Sequence, residues 1–322
     1  MRLILVGNYG VGNLGDEALK DYMLHAFPAA EWQVISARPS GVQELPRIPS
    51  GVRSFFFTPW MRTVLAIRKA DGLVFGGGSL FTDVESAFAC WLWYLHAAVA
   101  FFFGTPVFLS FQGIGPFRSA FGERLARRVM AKAAYVSVRD RFSFDRVRSW
   151  DKSVRTVQTS DPVFSVFHQG KVEHGTQQTF VIIPRRNSPD MFREQAITLS
   201  EHYPSMAVRI IAMQPDDASE RATIARLCAA FPTAEVVPAR STVALLAALK
   251  DASLVLTQRY HGALAAIALG IPVEIAAQGS KDKLSSLQSS DGITLSADEL
   301  KRAIREGECT LKEALAELPD RS

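Results

Sequence analysis

The chain of 322 residues has few cysteines, little net charge and no apolar leader at its start, and each shortage excludes a class of protein. Its three cysteines, Cys90, Cys228 and Cys309, lie far apart, with no histidine or second cysteine at metal-ligand spacing. This pattern argues against a disulfide-stapled domain, predicts no metal site and fits a reducing cytoplasm. The chain begins directly with a strand-like run, as we expect of a protein without a secretion signal.

The formal net charge of +4 is too small to indicate a nucleic acid as the partner. Basic residues are nevertheless concentrated between residues 117 and 156, where eleven of them stand against four acidic ones. Such a strip is either a solvated helix face or a surface that meets an anionic membrane. The sequence leaves both interpretations open, and it leaves the oligomeric state open as well.

One nearly apolar segment, residues 87–104, is at the short limit for a membrane-spanning helix. It carries His96 at its centre and connects two strand-like runs, which favours a buried crossover helix instead. Aromatic residues cluster in this segment at 101–103, and again at 55–57 beside Trp60. We expect most of these rings to lie in the core, since only an enzyme at a membrane edge would expose them.

Strand-like runs alternate with amphipathic helical patterns in two blocks, which predicts parallel sheets covered by helices. A polar segment rich in turn formers, residues 167–178, separates the blocks as a linker would. We therefore predict an α/β fold of two Rossmann-like domains, residues 1–165 and 178–296, that face each other across a cleft. Amphipathic helices at 297–322 follow. Ligands of such sheets bind at the carboxyl ends of the strands.

The most informative motif is Arg259-Tyr260-His261, which follows a strand-like run at 253–257 and precedes a helix that begins near Gly262. Helix N-termini bind anions, arginine grips carboxylate or phosphate as a fork, and histidine moves protons near neutral pH. Together these groups predict an anion site with an acid or base beside it. An isolated motif of this kind is more often a surface ion pair and a helix cap, so its weight depends on companion motifs.

The first strand-like run leads into a loop in which Gly10, Gly12 and Gly15 match the dinucleotide fingerprint G-x-G-x-x-G. A dehydrogenase usually has an acid at the end of the second strand to hold the ribose, but this strand runs into Arg38. An arginine there suits a 2′-phosphate. An NADP-binding oxidoreductase therefore remains an alternative, as does a binding protein without catalysis.

Two further strand-like runs lead into glycine-rich segments, Gly76-Gly77-Gly78 and Gln112-Gly113-Ile114-Gly115. Consecutive glycines are costly unless the backbone needs a positive φ or close approach, so we expect these loops to face a ligand. Asp83 follows the first of them, as either a helix cap or a base toward a sugar hydroxyl. Arg139 directly follows the next strand-like run, where its guanidinium can reach an anion.

Taken together, these motifs resemble the polysaccharide pyruvyl transferase family, over most of the chain. The resemblance rests on Gly12-Asn13-Leu14-Gly15-Asp16-Glu17, Gly76-Gly77-Gly78-Ser79-Leu80 with Asp83, Gln112-Gly113-Ile114-Gly115-Pro116, Val138-Arg139-Asp140, Asp161-Pro162 and Arg259-Tyr260-His261-Gly262. It implies two domains of the GT-B glycosyltransferase kind. It also implies an enzyme that transfers the enolpyruvyl unit of phosphoenolpyruvate to a sugar as a pyruvate ketal.

The resemblance, with the chemistry of this reaction, assigns roles to individual residues. His261 is the expected proton donor, and Asp83 or Asp16 the expected base toward the acceptor hydroxyl. The expected substrate-binding residues are Arg139, Arg259, Tyr260, Gly12, Asn13, Gly15, Gly77, Gly78, Ser79, Gln112 and Lys281. No cofactor is expected beyond phosphoenolpyruvate itself as the donor. The sequence departs from the family pattern at 276–278, where a Tyr-Asp pair is replaced by Ala-Ala-Gln.

The resemblance implies a saccharide acceptor from a bacterial envelope or exported polysaccharide, either free or attached to a membrane lipid carrier. The enzyme is then cytoplasmic, in solution or peripherally at the inner face of the membrane. A GT-B glycosyltransferase that uses a nucleotide sugar is the second alternative, since it has the same architecture.

Overall fold

The computed structural model describes residues 1–49, 51–84, 86, 88–169, 178–277, 283–289 and 292–318. The chain divides into two compact units. Unit 1 comprises Met1–Pro162 together with Leu300–Ser322, and unit 2 comprises Val163–Glu299. Each unit contains one sheet, and every pairing of strands within the two sheets is parallel. The predicted α/β fold with parallel sheets is therefore confirmed.

The sheet of unit 1 has seven strands in the order β3-β2-β1-β4-β5-β6-β7. The strands are β1 Arg2–Tyr9, β2 Glu31–Ser36, β3 Glu44–Pro46, β4 Gly72–Phe81, β5 Val107–Ile114, β6 Tyr135–Val138 and β7 Thr156–Gln158. The central strands β4 and β5 are buried almost throughout because helices cover both faces of the sheet. All the strands end at one edge, called here the carboxyl edge of unit 1.

In the described part of unit 1, six helices connect these strands. They are α1 Leu14–Ala26, α2 Val52–Phe57, α3 Met61–Lys69, α4 Ala89–Phe102, α5 Ala120–Lys132 and α6 Arg141–Trp150. The chain runs from β1 to β2 in one direction across the sheet and from β3 through β7 in the other. Because crossovers between parallel strands are right-handed, α1 lies on one face of the sheet and α3 to α6 lie on the opposite face. Accordingly, α3 packs against α4, and α4 against α5.

The apolar segment around His96 forms α4, which connects β4 to β5, so the predicted crossover helix is confirmed. The His96 ring is fully buried, and its Nε2 accepts a hydrogen bond of 3.0 Å from the backbone of Ile48. Its Nδ1 lies 2.8 Å from the carbonyl oxygen of Leu92, to which it donates. Burial lowers the pKa of His96 to about 4, so the ring stays neutral in the core. Nowhere in the described residues is there a helix with the length and apolar composition to cross a membrane.

The aromatic clusters do not all lie in the core as expected. Phe55, Phe56, Phe57 and Phe102 are 50%, 74%, 83% and 82% exposed, which makes the expectation wrong for these four rings. Phe56 and Phe57 belong to α2, a helix of only six residues, too short to bury every ring that it carries. Phe102 is the last residue of α4.

The sheet of unit 2 has five strands in the order β10-β9-β8-β11-β12. They are β8 Thr179–Ile183, β9 Ala207–Ala212, β10 Glu235–Pro238, β11 Ala252–Thr257 and β12 Val273–Ile275. The helices are α7 Val163–Gln169, α8 Asp190–His202, α9 Ala218–Ala230, α10 Thr242–Ala248 and α11 Tyr260–Ala268, followed by a 3₁₀ turn at Lys283–Leu287. Strands β8 and β11 are neighbours and end side by side at Ile183 and Thr257. The residues that follow these two strands therefore meet at the carboxyl edge of unit 2.

The final segment is one helix, α12 Ala297–Ala316, where the sequence predicted amphipathic helices over 297–322. Most of it belongs to unit 1. Tyr135 donates a hydrogen bond of 3.2 Å from its hydroxyl to the carbonyl of Gly307. A Cβ at Gly307 would lie 2.6 Å from the ring of Phe111, so only glycine allows this close packing. Gly307 therefore lies within α12 because it allows the helix to pack closely against unit 1.

Candidate functional site

The first glycine loop leads into α1, and one of its backbone N–H groups is hydrogen-bonded to a carboxylate side chain. Asn13 caps the helix by accepting a hydrogen bond of 3.0 Å from the N–H of Gly15. Gly10 and Gly12 have φ of 77° and 78°, a left-handed conformation that favours glycine. The N–H of Gly10 donates 2.7 Å to Oε1 of Glu17. Because an acid already occupies this N–H, it is not available to the pyrophosphate of a dinucleotide, which weakens the NADP alternative at this loop.

Asp16, the second predicted candidate for the base, lies beside the second glycine segment. An added Cβ at Gly78 would be 3.2 Å from Oδ1 of Asp16. The other carboxylate oxygen accepts 3.0 Å from the side-chain amide of Asn8, whose own oxygen accepts 3.0 Å from Nη2 of Arg47. Arg47 also lies 5.1 Å above the ring of Trp93. Asn8 and Arg47 were not predicted, since residue 47 reaches this edge only after the chain has passed through β2 and β3.

The sequence indicated that a strand ends before Gly77 and Gly78, but in the structure these glycines lie within the strand. Strand β4 continues through them to Phe81. Gly77 has a φ of 98°, and a Cβ there would lie 3.0 Å from Cδ2 of Leu19 on α1. These contacts give Gly77 a role in packing the helix against the sheet.

Gln112 is buried within β5 and does not lie in a loop, because the strand continues to Ile114. Its Nε2 donates 3.1 Å to each of two carbonyl oxygens, those of Phe75 and Ser110. Its side chain is 0% exposed. Gln112 therefore ties β5 to β4, and its predicted contact with substrate has no support in this geometry.

Arg139 is placed at the carboxyl edge as predicted, but its charge is already neutralised. Its guanidinium forms an ion pair with Asp161, and its Nη2 donates 2.8 Å to Oγ of Ser79. Arg139 is 6% exposed and Asp161 is 0% exposed. An anion must therefore compete with a buried carboxylate for this group. The pair with Asp161 joins β6 to the segment that follows β7, a role that the sequence did not indicate.

Asp83 holds the start of α5. Its carboxylate accepts from the backbone N–H of Arg118 at 2.5 Å and from the N–H and hydroxyl of Ser119 at 2.9 and 2.5 Å. Burial raises the pKa of Asp83, but these hydrogen bonds outweigh it and lower the pKa below its ordinary value. A carboxylate that is stabilised by three donors is a weak base. The alternative of a structural cap is therefore favoured over the predicted catalytic role.

Arg259 lies at the N-cap position of α11, at the carboxyl edge of unit 2. Its Nη2 donates 3.0 Å to Oε1 of Gln214 and forms an ion pair with Glu220, which is fully buried. Its Nε donates 3.2 Å to the carbonyl oxygen of Pro184. Because Oε1 of Glu220 also accepts 2.8 Å from the backbone of Gln214, the acid is fixed from two sides. Glu220 thus positions the guanidinium of Arg259.

Two further arginines, Arg185 and Arg186, follow β8 directly beside Arg259. Burial lowers the pKa of Arg259, Glu220 opposes this shift, and the charges of Arg185 and Arg186 add to it. Arg185 and Arg186 are therefore close enough to Arg259 to repel its charge, and Glu220 is the acid that pairs with Arg259. Within the described part of the chain no acid forms an ion pair with Arg185. This excess of positive charge is suited to an anion.

His261 is the second residue of α11 and lies within the same edge. Its half-buried ring is 5.6 Å from the ring of Tyr260, edge to face. Tyr260 is 5% exposed, and Nζ of Lys283 lies 5.5 Å from its ring centroid. A histidine, an arginine and the first N–H groups of a helix thus occur together, as the sequence predicted. The other predicted cation, Lys281, lies outside the described residues.

The sequence missed Arg185 and Arg186, although a signal for them existed. They follow β8 after a single proline, as Arg259 follows β11 after a single residue. Only the order of the sheet, in which β8 and β11 are adjacent, brings the two segments together.

Solved structures with the same architecture are GT-B-type enzymes. A UDP-GlcNAc 2-epimerase from Methanocaldococcus jannaschii has a TM-score of 0.59 at 13% identity, over 97% of this chain and 99% of that one. The UDP-GlcNAc 2-epimerase from Neisseria meningitidis bound to UDP-GlcNAc has a TM-score of 0.57 at 11% identity, over 99% and 95% of the two chains. Anabaena HepE in complex with UDP and glucose has a TM-score of 0.55 at 14% identity, over 99% and 93%. The likeness shows a GT-B-like fold.

No curated protein sequence matches the chain. Residues 13–273 match the family model described as polysaccharide pyruvyl transferase. The match extends from the first glycine loop to β12 and includes Arg259-Tyr260-His261. The chain therefore belongs to the polysaccharide pyruvyl transferase family, and the predicted family is confirmed.

Proposed function

We propose that this enzyme transfers the pyruvyl group of phosphoenolpyruvate to a saccharide of a bacterial cell-envelope polysaccharide or exopolysaccharide, forming a pyruvate ketal and releasing phosphate. The observation that carries the proposal is that Arg259 and Arg185 lie at the carboxyl edge of unit 2 that also carries His261, and that Arg185 forms no ion pair with an acid of the described residues. The family match supports the same reaction class.

The donor is a multiply charged anion with a carboxylate and a phosphate, and it needs two separate cationic contacts. Arg259, held rigid by Glu220, serves as one fork. Arg185 and Arg186 supply the second, because they emerge from the neighbouring strand. The N-terminus of α11, with its partial positive charge, also favours an anion at this edge. In this proposal Arg139 supports the fold of unit 1, in place of the donor contact that the sequence predicted.

His261 delivers the proton that begins the reaction. Protonation of the methylene carbon of phosphoenolpyruvate leaves its C2 carbon cationic, and one sugar hydroxyl attacks C2. The bond between C2 and the phosphate oxygen then breaks, and phosphate leaves. A second hydroxyl of the sugar attacks C2 and closes the ketal. Of the two hydroxyl protons, one restores His261 and the other departs with the phosphate. A phosphate close to the imidazole favours its charged form, ready to donate.

Asp16 is the remaining candidate for the base toward the acceptor hydroxyl, since Asp83 is committed to α5. Its half-buried carboxylate adjoins the glycine segment at Gly78 and is oriented by Asn8. The acceptor is a saccharide, and we expect it to be either free or attached to a membrane lipid carrier. The reaction then takes place in the cytoplasm. The shared cleft between the two domains stays a prediction from the sequence.

The proposal is tested by incubating the enzyme with phosphoenolpyruvate and candidate oligosaccharides, both free and lipid-linked. We expect release of inorganic phosphate and a gain of one pyruvyl group in the mass of the saccharide. UDP-GlcNAc replaces phosphoenolpyruvate in a parallel reaction. Release of UDP there, with phosphoenolpyruvate left unconsumed, would contradict the proposal and favour the glycosyltransferase.

A further inference from the structure

The side of unit 1 that carries α3, α4 and α5 exposes aromatic rings at the carboxyl edge. Helices in a parallel α/β unit run opposite to the strands, so their N-terminal ends lie at this edge. The hydroxyl of Thr63, in the first turn of α3, accordingly donates 2.5 Å to the carbonyl of Pro46 at the end of β3. The exposed rings here are Phe55, Phe56, Phe57, Phe88 and Phe121, called the aromatic rim below.

The rim occurs on consecutive elements. Phe56 and Phe57 of α2 are 74% and 83% exposed, directly before α3. Phe88, at the N-cap position of α4, is 70% exposed, and Phe121 in the first turn of α5 is 50% exposed. Scattered apolar residues are normal on a protein surface, but five phenylalanines at one edge are a candidate contact surface.

Among the described residues, the exposed charges beside the rim are basic, while the acid Asp83 is buried and accepts from the backbone of Arg118 and Ser119. Residues 45–70, which contain α2 and α3, include no acidic residue and five basic ones, of which Arg68 and Lys69 lie in the last turn of α3 at the opposite edge. Residues 86–122, which contain α4 and the start of α5, include Arg118 and no acidic residue. The first acid of α5, Glu123, accepts 2.8 Å from the indole N–H of Trp150. Beyond it, α5 carries three exposed arginines that line a surface cavity of about 450 Å³: Arg124, Arg127 and Arg128.

This combination fits a lipid bilayer with anionic headgroups. The phenylalanine side chain has no polar atom that needs a hydrogen-bond partner. It can therefore insert at the boundary between the lipid headgroups and the acyl chains without a complementary protein surface. The cations beside the rings, Arg62, Arg118 and Arg124, are exposed and can reach phosphate groups at the same depth. We propose that the aromatic rim docks unit 1 onto an anionic phospholipid membrane. This inference does not depend on phosphoenolpyruvate, and it brings the carboxyl edge of unit 1 to the surface where a lipid-linked saccharide would lie.

The test is sedimentation of the intact protein with vesicles of phosphatidylglycerol and phosphatidylcholine, compared with vesicles of phosphatidylcholine alone. The first variant is Phe56→Ser with Phe57→Ser. Phe102→Ser is the matched control, because that ring is 82% exposed but lies at the opposite end of α4. We expect the double variant to bind anionic vesicles at least about tenfold more weakly. Phe102→Ser should change binding less than about twofold.

Two further measurements separate the proposal from a change in folding. Phe57→Trp should bind as tightly as the wild type, since tryptophan also favours the membrane interface. Arg62→Gln and Arg118→Gln should each weaken binding to anionic vesicles about fivefold and leave binding to neutral vesicles unchanged. Equal loss in Phe102→Ser and in the double variant would overturn the proposal, as would a wild type that binds neither vesicle. Retention on heparin without binding to vesicles would also overturn it, in favour of another polyanion.

Discussion

The carboxyl edges of the two sheets differ in how they use charge. In unit 1 the charged groups described above are already paired: Glu17 accepts from a backbone N–H and from Lys20, and Asp161 neutralises Arg139. In unit 2 the buried Glu220 fixes Arg259, while Arg185 and Arg186 add two more positive charges. The strand ends of unit 1 thus hold paired charges, whereas those of unit 2 hold a guanidinium, Arg185, that forms no ion pair with an acid of the described residues. In the proposed reaction the anionic donor therefore suits the edge of unit 2, and the neutral, hydroxyl-rich acceptor suits the strand ends of unit 1.

The comparison also distinguishes two uses of a buried ion pair. The pair of Arg139 with Asp161 is almost wholly buried, so it holds strands in place. The pair of Arg259 with Glu220 leaves the arginine side chain 16% exposed, so the acid orients a group that can still face a ligand. Position at the end of a strand alone does not separate a structural arginine from a functional one, but the exposure of the pair does.

The largest effect is expected from His261→Gln, which removes the proposed proton donor from the edge of unit 2. Turnover should fall by ~10² to 10⁴, while binding of phosphoenolpyruvate is largely kept because the arginines remain. His202→Gln is the control, since His202 is an exposed residue of α8. Steady-state rates and donor titration should be measured on each folded variant. Normal turnover in His261→Gln would remove this residue from the mechanism.

Arg139→Gln should act on stability, because it leaves Asp161 buried without its partner. Loss of one member of a buried pair costs about 3 to 5 kcal/mol of the free energy of unfolding. Urea unfolding of Arg139→Gln, Asp161→Asn and the double variant measures the coupling between the two residues. A fully stable Arg139→Gln with a raised KM for phosphoenolpyruvate would instead restore Arg139 to the donor site.

The acid side of the pH–stability profile should depend on Asp83. Its pKa is lower in the folded protein than its ordinary value of 3.8, so its hydrogen bonds contribute stability above that pH. The contribution is lost as the pH falls from about 3.8 through the folded value. Thermal unfolding between pH 6 and the acid limit should therefore show a shallower loss in Asp83→Asn than in the wild type. Identical slopes would show that Asp83 does not hold the start of α5.

The smallest effects on stability are expected from substitutions of the glycines of unit 1. The cost should be larger where the added Cβ is more closely packed. Gly12 has a positive φ, but a Cβ there would meet nothing within 4 Å, so Gly12→Ala should cost about 1 kcal/mol from the backbone alone. Gly77→Ala adds contact with Leu19 at 3.0 Å and should cost more. Chemical denaturation of both variants gives the order. The reverse order would mean that Gly77 faces open space, where a ligand can approach.

Local patterns predicted the elements that carry the site. Arg259 and His261 were correctly placed at a junction of strand and helix. The strand-like run from Ser253 to Thr257 and the helical pattern after Gly262 are both local, so about a dozen residues are enough to recognise them. The family resemblance rested on such local motifs as well. The glycines of β4 misled because a positive φ inside a strand and a turn after one require the same residue.

The missed contacts are those made at long range. Asp161 pairs with Arg139 across β6 and β7, and Glu220 reaches Arg259 from the first turn of α9. Neither ion pair can be predicted from the periodicity of the sequence. Both depend on the order of strands, which a single sequence constrains only through the rules of handedness and connection.

The central claim is that phosphoenolpyruvate binds at the edge of unit 2, and calorimetric titration of Arg185→Gln tests it most directly. Arg193→Gln is the control, because Arg193 is an arginine of α8 that pairs with Asp190 on the surface. A charge-assisted hydrogen bond contributes about 1.5 to 3 kcal/mol, so Arg185→Gln should weaken binding roughly ten- to hundred-fold, with Arg193→Gln unchanged. Unchanged affinity in Arg185→Gln would contradict the account and place the donor elsewhere.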